Sequence, residues 1–148
     1  MNEKNLRFSS LEEVKNYFAK KDVSKMDVQE AVETKYAVKT ILTVLQQNEA
    51  PAIVTNFWYL LLRLIEERLK MLGYKVIDMN IDDFINIVHV VPEDLLRSHP
   101  HDIAQQMFED VDNEMLGELL CQLIAEKPQN DDLLNMMRLE YARRNKLN

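Results

Sequence analysis

Two histidines beside an aspartate form the group in this chain whose residue types and spacing most suggest metal binding. His99, His101 and Asp102 form its densest group of metal-ligating side chains, and a His-Pro-His unit could bind a metal ion between its two imidazoles. A metal site needs a third and usually a fourth ligand, and no further ligand stands at a suitable spacing. We therefore predict no metal site and no cofactor, and we expect these residues to form a polar helix cap.

The single cysteine, Cys121, is the candidate for nucleophilic catalysis. A catalytic cysteine acts as a thiolate, which is stabilised by a nearby base, a positive charge or a helix N-terminus. Cys121 instead falls in the middle of a predicted apolar helix, 114–126, within an acidic segment whose field disfavours the thiolate. We expect it to be a buried or half-buried structural cysteine.

Three pairs of acidic residues could be considered for general acid–base chemistry, namely Glu66–Glu67, Asp82–Asp83 and Asp131–Asp132. Neighbouring side chains on a helix point about 100° apart, because an α-helix has about 3.6 residues per turn, so no pair forms a catalytic dyad alone. The sequence also contains no phosphate-binding glycine loop, no Gly-x-Ser-x-Gly and no His-Glu-x-x-His. We predict no catalytic residue and no enzymatic activity.

The composition predicts that helices position these residues. The chain has 148 residues but only two glycines and four prolines, whereas strands joined by hairpins need turn glycines. We predict an all-α fold, in one helical domain over 1–148 with a long-helix layer at 1–73 and an acidic short-helix layer at 80–148. With one cysteine, a polar N-terminus and no uninterrupted apolar run of membrane length, we expect a cytoplasmic protein outside the membrane.

Apolar spacing locates the long helices. Ser10 followed by Glu13 is a capping-box signature that starts a first helix of about ten residues. A longer helix follows from a cap at Ser24 or Asp27 and ends near Pro51. The clearest helix covers 52–72, and Gly73 is suited to end it. Because the apolar arc of its first dozen residues exceeds half the circumference, we expect Trp58 and the segment 53–65 to lie at the centre of the fold, as in a helix hairpin.

The second half reads as short helices. Residues 74–91 could contain a strand, since 74–79 alternates weakly, but Phe84, Ile87 and Val88 favour a helix over about 82–90. Pro92 and Pro100 each begin a helix with acidic residues in its first turn. Asp112 or Asn113 caps the next one, and a last helix follows Asn130.

One short segment resembles a known family. Residues 98–104 read Ser-His-Pro-His-Asp-Ile-Ala and precede a leucine-rich stretch at 116–124. This is similar to the helix starts of superhelical repeats in the middle domain of flagellar motor switch proteins and in the cytoplasmic N-terminal domain of MgtE-type magnesium transporters. The resemblance implies that the short helices stack in a right-handed, solenoid-like manner, and it implies no function.

Charge suggests where a partner would bind. Residues 80–132 contain thirteen acidic residues and only two basic ones, Arg97 and Lys127, within a net charge of −7 for the chain. Phosphate backbones would be repelled, so direct nucleic-acid binding is not expected. We predict a protein-binding module, such as an adaptor, assembly chaperone or regulator, whose acidic surface contacts a basic protein. The candidate contact residues are Asp82, Asp83, Glu93, Asp94, Glu109, Asp110 and Glu114.

Two alternatives remain open on the sequence. The chain could be an acidic inhibitor that occupies the nucleic-acid-binding groove of another protein, which requires acidic residues spaced along one exposed face like phosphates. It could also be a structural homodimer in which helix 52–72 is completed by its twin, since the apolar arc of that helix is unusually wide. An adaptor, by contrast, needs an apolar patch with a polar rim.

Overall fold

The computed structural model describes residues 8–74 and 79–145, and over these ranges it contains helices and no strand. The predicted all-α class is confirmed. The helices are α1 (Leu11–Ala19), α2 (Val28–Gln47), α3 (Ala52–Met71), α4 (Ile81–Val90), α5 (Glu93–Ser98), α6 (Pro100–Met107), α7 (Asn113–Glu126) and α8 (Asp131–Asn145). A single turn of 3-10 helix, Val23–Lys25, joins α1 to α2.

Polar side chains fix the starts of several helices. Ser10 Oγ accepts a hydrogen bond from the backbone N–H of Glu13 at 3.3 Å and so caps α1. The Asp27 carboxylate caps α2 in the same way, and that of Asp112 caps α7 by accepting from the N–H of Met115 at 2.7 Å. Each bond satisfies an N–H group that has no partner inside its own helix.

The segment that could have been strand or helix contains α4. The Asn80 side chain accepts from the N–H of Asp83 at 3.1 Å, and the Asp83 carboxylate accepts from the N–H of Asn80 at 2.8 Å. This reciprocal capping box outweighs the low helix propensity of the β-branched residues that follow. Residues 75–78, part of the weakly alternating stretch, lie outside the described residues.

Helices α2 and α3 each contain 20 residues and run antiparallel. The end of α2 meets the beginning of α3, where the Gln46 side chain donates a hydrogen bond to the Tyr59 hydroxyl. At the opposite end, Arg68 of α3 donates to the carbonyl oxygen of Met26, just before α2, at 3.0 Å. Gly73 follows α3 with φ of 65°, the left-handed conformation expected there.

The central helix of the fold is α2, and the expectation that α3 occupies this place is wrong. Helix α2 contacts α3 as well as α4 and α6, and it contributes to both buried apolar clusters. One cluster joins α1, α2 and α3, and the other joins α2 to α4 through α8. Trp58 is fully buried, as expected, but it lies in the first cluster on one face of α3 only. The opposite face of α3 is therefore left for solvent.

Helix α8 is enclosed by the other short helices. It contacts α4, α6 and α7. Met136 and Met137 are adjacent in sequence and both buried, because neighbours cover α8 on more than one side. The right-handed, solenoid-like stacking implied by the resemblance stays a prediction.

Within residues 8–74 and 79–145, none of the helices combines the length and the apolar character that crossing a lipid bilayer requires.

Candidate functional site

The acidic residues predicted to contact a partner do not all reach the surface. Asp83 is only 3% exposed, and its carboxylate is occupied by the capping box of α4 and by a hydrogen bond from the Gln29 amide of α2. The prediction that Asp83 belongs to the acidic contact surface is therefore wrong. The sequence did not reveal the burial of Asp83, because Gln29, which donates this hydrogen bond, lies 54 positions earlier in the chain.

Two other predicted contact residues are joined to distant parts of the chain. Asp82 is exposed and forms an ion pair with Lys127, which follows α7. Asp94, at the start of α5, accepts a hydrogen bond from the backbone N–H of Leu11 at 3.4 Å. Both carboxylates thus hold separate helices together.

The remaining predicted contact residues lie on α5 and around the turn between α6 and α7. Glu93 is half-buried, while Glu109 and Glu114 are exposed. Asp110 accepts a hydrogen bond from the Tyr36 hydroxyl at 2.7 Å. Burial of Tyr36, together with this bond to a carboxylate, raises the pKa of its phenol. The structure accordingly divides the predicted acidic set among several helix junctions.

A second buried carboxyl group faces Asp83 across the junction of α2 and α4. Glu33 of α2 is nearly buried and accepts a hydrogen bond from the Asn86 amide at 3.0 Å. The pKa of Glu33 is raised to about 7, chiefly by burial, and also by a hydrogen bond with Asp83 and by the negative charge of Asp83. Two carboxyl groups that share a site favour holding a proton between them.

An ion-pair network around a buried carboxylate lies at the end of α8. Glu140 is 2% exposed and accepts hydrogen bonds from Arg143 and Arg144 at 2.7 to 2.8 Å. Arg144 also donates to the carbonyl oxygens of Phe108 and Val111, at 2.7 and 2.5 Å, in the turn after α6. Burial acts to raise the pKa of Glu140, but the two guanidinium groups outweigh it and leave this pKa below its ordinary value. Arg144 therefore joins the end of α8 to the turn after α6.

The structure corrects the expectations for the cysteine and the histidines. Cys121 is exposed on α7, whereas a buried or half-buried side chain was expected. His99 occupies the position before α6, but its side chain makes no capping hydrogen bond. Among the described residues, no three metal-ligating side chains converge. A cleft of about 420 Å³ between α4 and the start of α8 contains His89, Asp131 and Asp132 in its wall.

Helix α3 carries a stripe of exposed apolar side chains. Of the eight large apolar side chains that are exposed in the described residues, five lie on α3, and a sixth, Tyr74, lies three residues after its end. Four of them share one face of the helix, with exposed fractions of 82% for Ile53, 58% for Leu60, 43% for Leu64 and 79% for Met71. We call these four residues, with half-buried Phe57 and exposed Glu67 between them, the α3 stripe.

The spacing of the α3 stripe is that of a coiled-coil seam. Its six positions are 53, 57, 60, 64, 67 and 71, so successive members are separated alternately by four and three residues. This alternation keeps side chains on one face of a helix that pairs with another helix. In the sequence, the apolar residues at 53, 57, 60 and 64 widen the apolar arc of this helix. Such a wide arc fits either a larger buried core or a second, exposed apolar face, and the exposed fractions of the side chains show that it is the second.

A polar rim borders the α3 stripe. Arg63 lies beside it and forms an exposed ion pair with Glu67, with 3.4 Å between Nε and Oε1. On the other side, Lys15 of α1 places its Nζ 5.7 Å from the centroid of the Phe57 ring. An apolar patch with a charged rim is the usual anatomy of a protein-contact surface.

Comparison of the chain with protein-family models, with curated proteins and with solved structures found no match.

Proposed function

We propose that this chain is a non-enzymatic protein–protein binding module, of the adaptor or regulator type, and that it binds through the α3 stripe. The observation that carries the proposal is the exposure of Ile53, Leu60, Leu64 and Met71 on a single helix face. A monomeric domain gains stability by burying such residues, and this chain has two other apolar clusters in which it does so. The apolar face that lies outside both clusters would be buried by binding to a protein partner.

The placement of the acidic residues favours an adaptor over an acidic inhibitor of a nucleic-acid-binding groove. An inhibitor of that kind would need its carboxylates aligned on one exposed face. Here Asp83 is buried, while Asp82, Asp94 and Asp110 bridge different helices. The charges that remain exposed serve better as a solubilising surface and as a guide for a basic partner.

A reducing compartment such as the cytoplasm fits this proposal. Cys121 is exposed and has no second cysteine in the chain with which to pair. A lone accessible thiol persists more easily where thiols are kept reduced.

Site-specific photo-crosslinking tests the proposed surface. A photoreactive phenylalanine analogue at position 60 lies within the α3 stripe, and the same analogue at exposed Glu118 of α7 is the matched control. In the cells that produce the protein, we expect a discrete crosslinked product at position 60 and none at position 118. Equal crosslinking at both positions, or none at either, would refute the proposal.

A further inference from the structure

We infer that the partner of the α3 stripe is a second copy of this chain, docked with the two α3 helices antiparallel. The inference rests on the proposed function, because it names the protein that the α3 stripe binds. It comes from two features of the stripe, namely the symmetry of its spacing and the position of its one charged member.

The spacing of the α3 stripe is the same in both directions along the helix. Reversing the helix about its midpoint at position 62 places Ile53 against the partner's Met71 and Leu60 against the partner's Leu64. The four exposed apolar side chains thus meet only one another. A surface that is complementary to its own reverse is what a two-fold symmetric dimer requires.

The position of Glu67 distinguishes the antiparallel arrangement from the parallel one. In a parallel pair, Glu67 would lie against Glu67 of the second copy, and two like charges would face each other in an apolar seam. In the antiparallel pair, Glu67 lies instead against the partner's Phe57. Phe57 has the ammonium group of Lys15 5.7 Å from its ring centroid, so the carboxylate would meet a cation. The two-fold axis creates this Glu67–Lys15 pairing twice.

The size of the α3 stripe sets the concentration range for an experiment. From position 53 to position 71 the stripe extends for about 27 Å at 1.5 Å per residue, and a helix is roughly 10 Å wide. A contact of this size is smaller than the roughly 800 Å² per partner of tight complexes. We therefore expect a dimer that dissociates in the micromolar range, visible by sedimentation equilibrium between about 1 and 500 μM.

Engineered disulfides test the register. In a Cys121→Ser background, one chain carries Ile53→Cys and another carries Met71→Cys, both at highly exposed positions. The antiparallel dimer brings position 53 next to position 71 of the second copy, while two copies of position 53 stand about 27 Å apart. We expect rapid oxidation to a crosslinked dimer only when the two chains are mixed. Crosslinking of the Ile53→Cys chain alone would overturn the antiparallel arrangement.

A charge exchange tests the predicted ion pair. Lys15→Glu and Glu67→Lys should each weaken dimerisation by about 2- to 30-fold, because each removes both symmetric pairs, and the double variant should recover most of the wild-type affinity. A role of either residue in folding alone would not produce recovery. Additive losses in the double variant would overturn the pairing.

The outcomes separate this inference from the proposed function. Wild-type dimerisation that is weakened more than about 100-fold by Leu60→Glu with Leu64→Glu, and unchanged by Glu118→Lys, supports self-association through α3. A wild-type chain that stays monomeric up to 500 μM overturns the inference. If position 60 then crosslinks in cells to a different protein, the proposed function stands without it. If position 60 crosslinks to nothing, both fail.

Discussion

The protonation of Glu33 depends on its neighbours in the fold. Its carboxyl group faces Asp83 across two helices, and burial with that second acid raises its pKa to about 7. Between about pH 4.5 and pH 7, the folded chain keeps a proton that the unfolded chain has released. The contribution of Glu33 to stability is therefore complete below pH 4.5 and is lost as the pH rises to about 7.

We predict that Glu33→Gln removes this pH dependence. Glutamine keeps the shape and can still donate to Asp83 and accept from Asn86, but it does not titrate. Relative to wild type, the variant should gain on the order of 2 kcal/mol in unfolding free energy between pH 5 and pH 8. Urea unfolding followed by the fluorescence of Trp58, the single tryptophan, measures the difference. Parallel pH profiles for the two proteins would contradict a shared proton at this site.

Arg144 joins the end of α8 to buried Glu140 and to the turn after α6. We predict that Arg144→Met lowers the unfolding free energy by about 2–4 kcal/mol, because it deprives buried Glu140 and two backbone carbonyls of a donor. Arg138→Met, on an exposed part of the same helix, is the matched control and should cost less than about 0.5 kcal/mol. Equal losses in urea unfolding would show that the network adds nothing specific.

The burial of individual residues was the part of the structure that the sequence predicted least well. Cys121 was expected inside and lies outside, and Asp83 was expected outside and lies inside. Both errors have one cause, since residue type gives an average preference while burial depends on which helix packs on which face. For Asp83 the decisive neighbours, Gln29 and Glu33, belong to a helix far away in sequence.

At the scale of helices, the sequence was more informative. The caps at Ser10, Asp27 and Asp112 are local interactions between residues three apart, so they could be predicted from the sequence. Which of α2 and α3 is the central helix could not be predicted from the sequence. Both helices have wide apolar arcs, and only the long-range contacts of α2 with α4 and α6 show which of them is covered on more than one side.

Helix α7 contains a glycine that the fold does not require. Gly117 lies inside the helix, and a Cβ built on it would stand 3.4 Å from the Tyr141 ring, an ordinary van der Waals distance. We predict that Gly117→Ala raises the unfolding free energy by about 0.5–1 kcal/mol through higher helix propensity. Thermal unfolding by circular dichroism measures the gain. A lower melting temperature would indicate that the Tyr141 ring cannot accommodate the methyl group.

At the scale of the whole molecule, the α3 stripe is the feature from which function is inferred. The sequence indicated the wide apolar arc of this helix and left two explanations, a central place in the fold or completion by a twin. The structure assigns the central place to α2 and leaves the α3 stripe exposed. The acidic surface that charge alone suggested is divided among helix junctions, because several carboxylates have intramolecular partners.

The rate of thiol labelling at position 60 tests the α3 stripe most directly. In a Cys121→Ser background, Leu60→Cys and the control Glu118→Cys are labelled with a maleimide in native extract and again after unfolding in urea. A covered stripe predicts that position 60 reacts at least about 10-fold more slowly than position 118 in the native extract, and at the same rate once unfolded. Equal native rates would mean that nothing occupies the α3 stripe and would contradict its role as the contact surface.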